Sequence, residues 1–266
     1  MKLEEFRAIL DQIAPYAYYL ELYNWGEAFL HPDILEMIRS AAERRIIVSI
    51  SSNLNALTPA LAEGVVSAGL TKLLVSVDGA SQESYGRYRR QGDLATVMEN
   101  LRLLAEAKRR LGSSTPFITV RMLVHKHNEG EISELRQMVR QLGVDSFTTG
   151  PIFVDPGKAD QAAEWLPKDQ SLSCYDYDAK AITNVWHCDD LWEGSVINWD
   201  GGVAPCCWPE DPASDLANVL KTPFDRIWNG DAYVSARRVI GRHAAEPGDA
   251  VTICHACRGH PRYLEI

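Results

Sequence analysis

The sequence predicts an α/β protein: a parallel sheet covered by helices, open or curled toward a barrel, followed by a small irregular module. Over the first 150 residues, apolar positions alternate between the period of a strand and the period of a helix. After residue 150, prolines interrupt short segments, and all six cysteines of the chain occur there. Repeated strand-helix units favour parallel pairing with right-handed crossovers, so the first region should form the sheet.

The elements of the first region follow from short apolar runs and from capping residues. Five runs are predicted as strands: residues 18–23, 46–50, 73–77, 117–124 and 145–148. Amphipathic helices are predicted to begin near Leu3, Pro32, Thr58, Asp93 and Ile132, and the last three to end near Gly69, Gly112 and Gly143.

Four polar or glycine-bearing segments directly follow predicted strands: residues 24–27, 51–53, 76–79 and 125–128. In parallel α/β sheets, ligands bind at the carboxyl ends of the strands. These segments are therefore the candidate ligand-binding loops. The alternative is that each loop uses Gly, Asn, Asp and Ser only to make its turn.

Composition excludes several classes of protein. The 266 residues include 27 Lys and Arg against 36 Asp and Glu, a formal charge of −9, and 46% are hydrophobic. The hydrophobic share is typical of a globular protein. The net negative charge disfavours binding to nucleic acid or to a membrane surface. No apolar run approaches the roughly 20 residues of a spanning helix, and the first residues do not resemble a signal peptide. We expect a cytoplasmic protein.

The cysteines indicate a metal or cluster site. Cys254 and Cys257 form a C-x-x-C pair, and Cys188 and Cys206 flank the Gly201-Gly202 turn. Four thiolates suit either a tetrahedral zinc or an iron–sulfur cluster. Cys207 competes with Cys206 for the fourth position. Cys174 has no spacing partner, and we expect it to be a small buried residue.

Both halves of the chain carry a family resemblance. The second half resembles the SPASM module, the carboxyl-terminal extension of many radical S-adenosylmethionine (radical SAM) enzymes, in residues 188–192, 197–207, 218–219, 224–230 and 254–257. In the first half, Gly26-Glu27 resembles the glycine-glutamate motif of that family. Residues 76–79 resemble the strand end after which the family places Tyr85, Arg89 and Gly92.

The resemblance implies an architecture and two cofactors. The fold is a partial (β/α) barrel of parallel strands whose first strand is missing, followed by a cysteine-rich iron–sulfur module. Its implied ranges are a barrel core over residues 1–150, a linker over 151–186 and a SPASM-like domain over 187–266. The implied cofactors are S-adenosylmethionine and an auxiliary 4Fe-4S cluster held by Cys188, Cys206, Cys254 and Cys257.

Roles for individual residues also come from the resemblance. Gly26 and Glu27 would contact the methionyl amino group of S-adenosylmethionine, since a carboxylate accepts charge-assisted hydrogen bonds from an ammonium. Ser76 would contact the methionyl or ribose part, Arg89 the methionyl carboxylate, and Asn53 is a weaker candidate. The alternative for Glu27 is that it caps the helix beginning near Pro32.

The sequence departs from the family in one respect. Radical SAM enzymes hold their catalytic cluster with a C-x-x-x-C-x-x-C loop after the first strand, and this sequence has no cysteine before Cys174. The chain is then either a fragment of a longer enzyme or a natural variant that lost the reaction centre.

The implied parent reaction is hydrogen abstraction from a substrate by a 5′-deoxyadenosyl radical, with the auxiliary cluster anchoring substrate or relaying electrons. We expect a peptide or protein substrate, with sugars and small metabolites as alternatives, and a reductant protein as a further partner. The alternative function is a non-catalytic binding or electron-carrier protein that keeps the auxiliary cluster, or a structural zinc module.

Overall fold

The computed structural model describes residues 1–154, 159–177, 181–182, 188–241 and 248–257. Parts of the predicted linker, residues 155–158, 178–180 and 183–186, lie outside the described residues. Contacts divide the chain into two compact units. The sheet unit is Tyr18–Asn184, and the cysteine unit combines Met1–Ala17 with Val185–Ile266.

The sheet unit is built on five parallel strands in sequential order, β1 to β5. They are Tyr19–Glu21, Ile47–Ser52, Lys72–Ser76, Phe117–Val124 and Ser146–Pro151. Its helices are α2 (Ile34–Glu43), α3 (Pro59–Ser67), α4 (Gln82–Tyr88), α5 (Leu94–Leu111), α6 (Ile132–Gln141) and α7 (Ala159–Trp165). A short antiparallel pair, β6 (Tyr175–Asp176) and β7 (Ala181–Ile182), follows.

The strand alternation separates an apolar face from a polar face. On β4, Ile118, Val120 and Met122 are fully buried, while Arg121 between them is exposed. Because parallel partners share a face, the register places Ser76 and Thr148 on either side of Arg121. The apolar face forms the core with the helices, and the other face presents hydroxyl and charged groups.

Helices α3 and α5 begin at the capping residues that the sequence predicts, and α5 also ends at its predicted capping residue. Thr58 Oγ1 accepts from the Leu61 N–H at 3.2 Å at the start of α3. Asp93 Oδ1 accepts from the Thr96 N–H at 2.6 Å at the start of α5, and Gly112 ends that helix with φ of +61°. These capping predictions are confirmed.

Short elements form the cysteine unit. They are helices α1 (Leu3–Ile13), α8 (Asp190–Glu193), α9 (Phe224–Trp228) and α10 (Asp231–Ile240), and strands β8 (Val196–Ile197), β9 (Gly202–Ala204) and β10 (Ala217–Asn218). The strands form an antiparallel sheet in the order β10-β9-β8. The Gly201 φ of +84° at the β8–β9 turn matches the predicted reversal of the chain.

The first helix belongs to this cysteine unit. Ile9 lies in one apolar cluster with Leu191, Val203 and Ile227. Gln12 Oε1 also accepts from the Phe224 N–H at 3.0 Å, which joins α1 to α9. The division into compact units therefore separates α1 from the strands, whereas the predicted barrel core over residues 1–150 includes both. As a functional domain, the range 1–150 stays a prediction.

None of the helices in the described part of the chain has the length and apolar character that a membrane crossing requires.

Candidate functional site

The loop after β1 holds Glu27 against the end of β2. Its carboxylate accepts from Ser52 Oγ at 2.7 Å and from the Asn53 N–H at 2.9 Å. It also accepts from the Phe29 N–H at 3.3 Å. Gly26 supplies the preceding turn with φ of +102°, a conformation that glycine adopts without strain. The predicted Glu27 and Asn53 are thus brought together at the carboxyl ends of two strands.

Glu27 does cap a helical turn, but not the one that the sequence predicts. Glu27 caps the 3-10 turn Ala28–Leu30 through the Phe29 N–H. It does not cap α2, whose N-cap residue is Asp33. Oε1 accepts from Ser52 and Phe29, and Oε2 accepts only from Asn53, so one lone pair of Oε2 is left for a ligand. Capping and ligand binding are therefore compatible.

A second set of contacts links Asn53 to α4. Asn53 Oδ1 accepts from the Asn55 N–H at 2.9 Å, and Asn55 Nδ2 donates to the Tyr85 hydroxyl at 3.1 Å. Tyr85 is fully buried, and this burial raises its pKa. A Cβ on Gly92 would lie 2.8 Å from the Tyr85 ring, so only glycine permits this approach. Tyr85 and Gly92 therefore have clear packing roles.

Arg89 pairs with a buried carboxylate. Arg89 Nε donates to Asp78 Oδ2 at 2.6 Å, and Asp78 Oδ1 accepts from the Leu123 N–H at 2.6 Å. Burial raises the pKa of Asp78, while the charge of Arg89 and the Leu123 N–H act in the opposite direction. Ser76 ends β3 two residues before Asp78 and is half-buried. Arg89 and Ser76 thus belong to the carboxyl edge of the sheet, as the strand order predicts.

Some members of this site were not singled out from the sequence. The Asp78 carboxylate and the bridging Asn55 were assigned no role, and α4 was not predicted. The pattern Ser81-x-x-Ser84 is a signal that could have revealed α4, because Ser81 Oγ accepts from the Ser84 N–H at 3.2 Å at its start. The roles of Gly26, Glu27, Asn53, Ser76 and Arg89 toward a ligand stay predictions.

The candidate cluster ligands lie in three segments of the cysteine unit. Cys188 precedes α8, Cys206 follows β9, and Cys254 and Cys257 lie on or beside the 3-10 turn Ile253–Ala256. All four are free thiols. Cys254 is only 6% exposed and shares an apolar cluster with Leu191 and Tyr233.

Burial and neighbouring thiolates both raise the pKa values of Cys206 and Cys254. Burial raises the pKa of Cys206 to about 12 and that of Cys254 to about 11. Repulsion adds to this: Cys254 raises the pKa of Cys206, and Cys188 and Cys257 raise that of Cys254. In the described residues, no three Cys, His, Asp or Glu side chains are placed so that they could share one metal ion. The fit to an iron–sulfur cluster rests on the chemistry of the donor set, which consists of four free thiols.

The two remaining cysteines differ from these four. Cys207 is exposed, whereas Cys206 is half-buried and lies within electrostatic reach of Cys254. This contrast favours Cys206 as the ligand. Cys174 lies in the sheet unit, buried with Val154 and Tyr175, which confirms its prediction as a small core residue.

Comparison with sequence families gives two matches. A profile of the radical SAM superfamily matches residues 1–139. A profile of SPASM, an iron–sulfur cluster-binding domain, matches residues 188–258. These matches confirm the predicted family, and with it the predicted classes of cofactor.

Curated relatives share limited identity. The AdoMet-dependent heme synthase of Methanosarcina barkeri is 26% identical over 167 residues, which are 62% of this chain and 46% of that protein. The antilisterial bacteriocin subtilosin biosynthesis protein AlbA of Bacillus subtilis is 24% identical over 250 residues, which are 86% of this chain and 53% of that protein. The chain thus spans about half the length of these relatives.

Solved structures agree on the fold. The chain is similar to SuiB of Streptococcus suis with a TM-score of 0.61 and 13% identity, over 88% of this chain and 61% of SuiB. SuiB bound to its precursor peptide SuiA matches with a TM-score of 0.59 and 13% identity, over 86% of this chain and 58% of that one. The predicted fold class is confirmed.

Proposed function

This chain belongs to the radical SAM superfamily, and from that premise we propose that it binds S-adenosylmethionine at the carboxyl edge of its sheet and a 4Fe-4S cluster in its cysteine unit. One observation carries the first part. The same sheet edge holds an oriented carboxylate, Glu27, and an oriented guanidinium, Arg89. A methionyl group carries one ammonium and one carboxylate, so it needs one partner of each sign.

Cys188, Cys206, Cys254 and Cys257 are the proposed cluster ligands. When bound, a cluster held by four thiolates would transfer single electrons. The chain supplies the four thiols from three segments, at Cys188, at Cys206 and at Cys254 and Cys257, so cluster binding would tie those segments together.

We propose a peptide or protein as the substrate, modified through hydrogen abstraction. The support is similarity: SuiB has been solved with its precursor peptide, and AlbA is named for bacteriocin biosynthesis. The heme synthase shows that relatives act in other chemistry, so sugars and small metabolites are the competing substrates. A reductant protein and a cytoplasmic location complete the proposal.

A second candidate function is non-catalytic. The 266-residue sequence has no C-x-x-x-C-x-x-C motif, so the chain as it stands has no thiolates to hold the catalytic cluster. We expect no 5′-deoxyadenosine from it above a protein-free control with S-adenosylmethionine and dithionite. Product formation would contradict this candidate and favour the enzyme. Absence of product is expected both of a binding or electron-carrier protein and of a fragment of an enzyme, and an in-frame C-x-x-x-C-x-x-C motif encoded upstream of Met1 would identify the fragment.

Glu27→Gln tests the cofactor site. Glutamine keeps the shape but removes the charge that faces an ammonium, a loss of roughly 1.5–3 kcal/mol, or about ten- to a hundredfold in the Kd for S-adenosylmethionine. Titration calorimetry measures the affinity, and a thermal melt measures the cap.

The matched control is Glu83→Gln, because the Glu83 side chain is 82% exposed at the start of α4. We expect its affinity to equal that of the wild type. If Glu27→Gln lowers the melting temperature but leaves the Kd unchanged, Glu27 acts only as a cap and the proposed site is wrong.

A further inference from the structure

The Asp78–Arg89 ion pair is asymmetric. The Asp78 side chain is fully buried, while 29% of the Arg89 side chain is exposed. Both Asp78 oxygens are engaged, one by Arg89 Nε and the other by the Leu123 N–H. Asn128 Nδ2 also donates to the Asp78 carbonyl at 3.0 Å, which fixes the backbone there. These bonds fix the position of the Asp78 carboxylate, which in turn holds the Arg89 guanidinium.

The segment from Asp78 to Arg89 leaves the end of β3, forms α4 and returns to Asp78. A Cβ on Gly79 would come within 2.4 Å of the Tyr85 nitrogen, so glycine lets the start of α4 approach the strand end. The helix then runs from Gln82 to Tyr88 and is ended by Arg89, its C-cap residue. The Arg89 side chain returns to Asp78 from the helix end. Residues 78–89 therefore place one guanidinium at the sheet edge.

The two terminal nitrogens of Arg89, Nη1 and Nη2, are available as hydrogen-bond donors. Only Nε bonds to Asp78, and in the described residues neither Nη1 nor Nη2 has a hydrogen-bond partner. The guanidinium also lies 5.4 Å from the centre of the Tyr88 ring, which restricts it further. A guanidinium held by Nε presents its two terminal amino groups as a planar fork, the arrangement that binds a carboxylate through two parallel bonds.

We propose that Asp78 is a positioning residue: by holding Nε, it directs the terminal fork of Arg89 toward the methionyl carboxylate of S-adenosylmethionine. This inference rests on the proposed function, since it assumes that the ligand binds at this edge. The Asp78 side chain itself is fully buried. Its effect reaches the ligand only through the orientation of Arg89.

The competing role is structural. Asp78 also joins β4 to α4, so its loss could lower stability without affecting recognition. Nearby Arg121 helps to separate the two roles. The Arg121 charge lowers the pKa of Asp78, yet its side chain has no hydrogen bond or ion pair within the part of the chain that the structure describes. It is a nearby cation that Asp78 does not orient.

The experiment compares S-adenosylmethionine with its decarboxylated form, which lacks only the methionyl carboxylate. Titration calorimetry on the full chain gives the ratio of the two affinities. In the wild type we expect at least a tenfold preference for S-adenosylmethionine, as a bidentate charged pair predicts. Arg89→Gln should bring the ratio close to one.

Asp78→Asn tests positioning. We expect the ratio to fall to about threefold or less, while affinity for the decarboxylated ligand changes by less than about threefold. Arg121→Gln is the matched control, and its ratio should stay within about twofold of the wild type. If Asp78→Asn lowers the melting temperature but keeps the full ratio, Asp78 is structural and the inference is wrong.

Arg89→Lys keeps the test decisive if Asp78→Asn fails to fold. Lysine retains the charge, but it cannot bond Asp78 and present a planar fork together. We expect most of the preference to be lost. A lysine variant with the wild-type ratio would show that charge alone suffices and would overturn the inference.

The wild type separates this failure from failure of the proposed function. A wild-type chain that binds neither ligand contradicts both the proposed function and the inference. A wild-type chain that binds both ligands equally contradicts the inference and the role of Arg89 toward the carboxylate, but it leaves S-adenosylmethionine binding through Glu27 in place.

Discussion

The two compact units reach their folds by different means. The sheet unit has long regular elements, and β4 contributes fully buried side chains at alternate positions, Ile118, Val120 and Met122. The cysteine unit has strands of two or three residues and one main apolar cluster, in which Cys254 is itself a member. In the sheet unit, regular strands and helices supply the apolar core. In the cysteine unit, one proposed cluster ligand, Cys254, is part of the apolar core.

The difference bears on what each unit needs in order to be stable. Burial of apolar side chains contributes about 25 cal/mol per Å², so the regular strands and helices of the sheet unit supply their own stability. Short segments bury little apolar surface, and small modules commonly depend on a metal for their folding free energy. We therefore expect cofactor loss to affect the cysteine unit and cavity mutations to affect the sheet unit.

The largest expected effect is that of Cys254→Ala. After anaerobic reconstitution, the wild type should carry one 4Fe-4S cluster, and the variant should lose it because one of four thiolates is gone. Hydrogen exchange should then show loss of protection throughout the cysteine unit, while β2 to β4 keep theirs.

The matched control for that prediction is Cys174→Ala, since Cys174 is 7% exposed and lies in the sheet unit. It should keep its iron content and lose about 1 kcal/mol of stability at most. Zinc at unit stoichiometry, with iron excluded from the wild type, would contradict the assignment of a cluster.

A cavity in β4 should have the next largest effect. Ile118 is fully buried in the sheet, so Ile118→Ala should reduce the free energy of unfolding by about 2–5 kcal/mol, measured by urea denaturation. Phe117→Ala is the control because Phe117 is 49% exposed, and its cost should be clearly smaller. Equal losses in the two variants would show that the buried face does not dominate the stability of this unit.

Acid should weaken the sheet unit through His125. This side chain is fully buried among the rings of Tyr88, His127 and Trp165, and in the described residues its Nε2 has no hydrogen-bond partner. Burial, with repulsion from His127, lowers its pKa from 6.5 to about 4, and the charge of Glu131 acts in the opposite direction. The neutral ring is therefore the form that suits the fold.

The sign follows from proton binding. The unfolded chain takes up a proton near pH 6.5 and the folded chain only near pH 4, so stability from this group is complete above 6.5 and is lost as the pH falls to 4. The loss should be roughly 2–3 kcal/mol. Denaturation of the wild type and of His125→Phe at several pH values measures it, and curves that stay parallel between pH 7 and 4 would contradict the prediction.

Much of the sheet unit could be read from the sequence. The strand over residues 117–124 was predicted with its observed limits, and Thr58, Asp93 and Gly112 marked helix ends where the structure has them. These features depend on local periodicity and on capping, which neighbouring residues determine. Helix α4 was missed because it is short and its apolar face is small, so its cap was the main sign of it.

The candidate site was predictable only in part, for a physical reason. The sequence by itself determined which strand ends carry polar residues, because the two-residue period of a strand and the order of parallel strands leave few choices. It could not determine that Arg89 turns back to Asp78, or that Glu27 reaches Ser52, because these contacts join residues 11 and 25 positions apart. Only the tertiary structure decided such pairings, and it also decided that α1 packs beside Leu191 and Val203: an amphipathic pattern shows that a helix has an apolar face, but not which surface covers it.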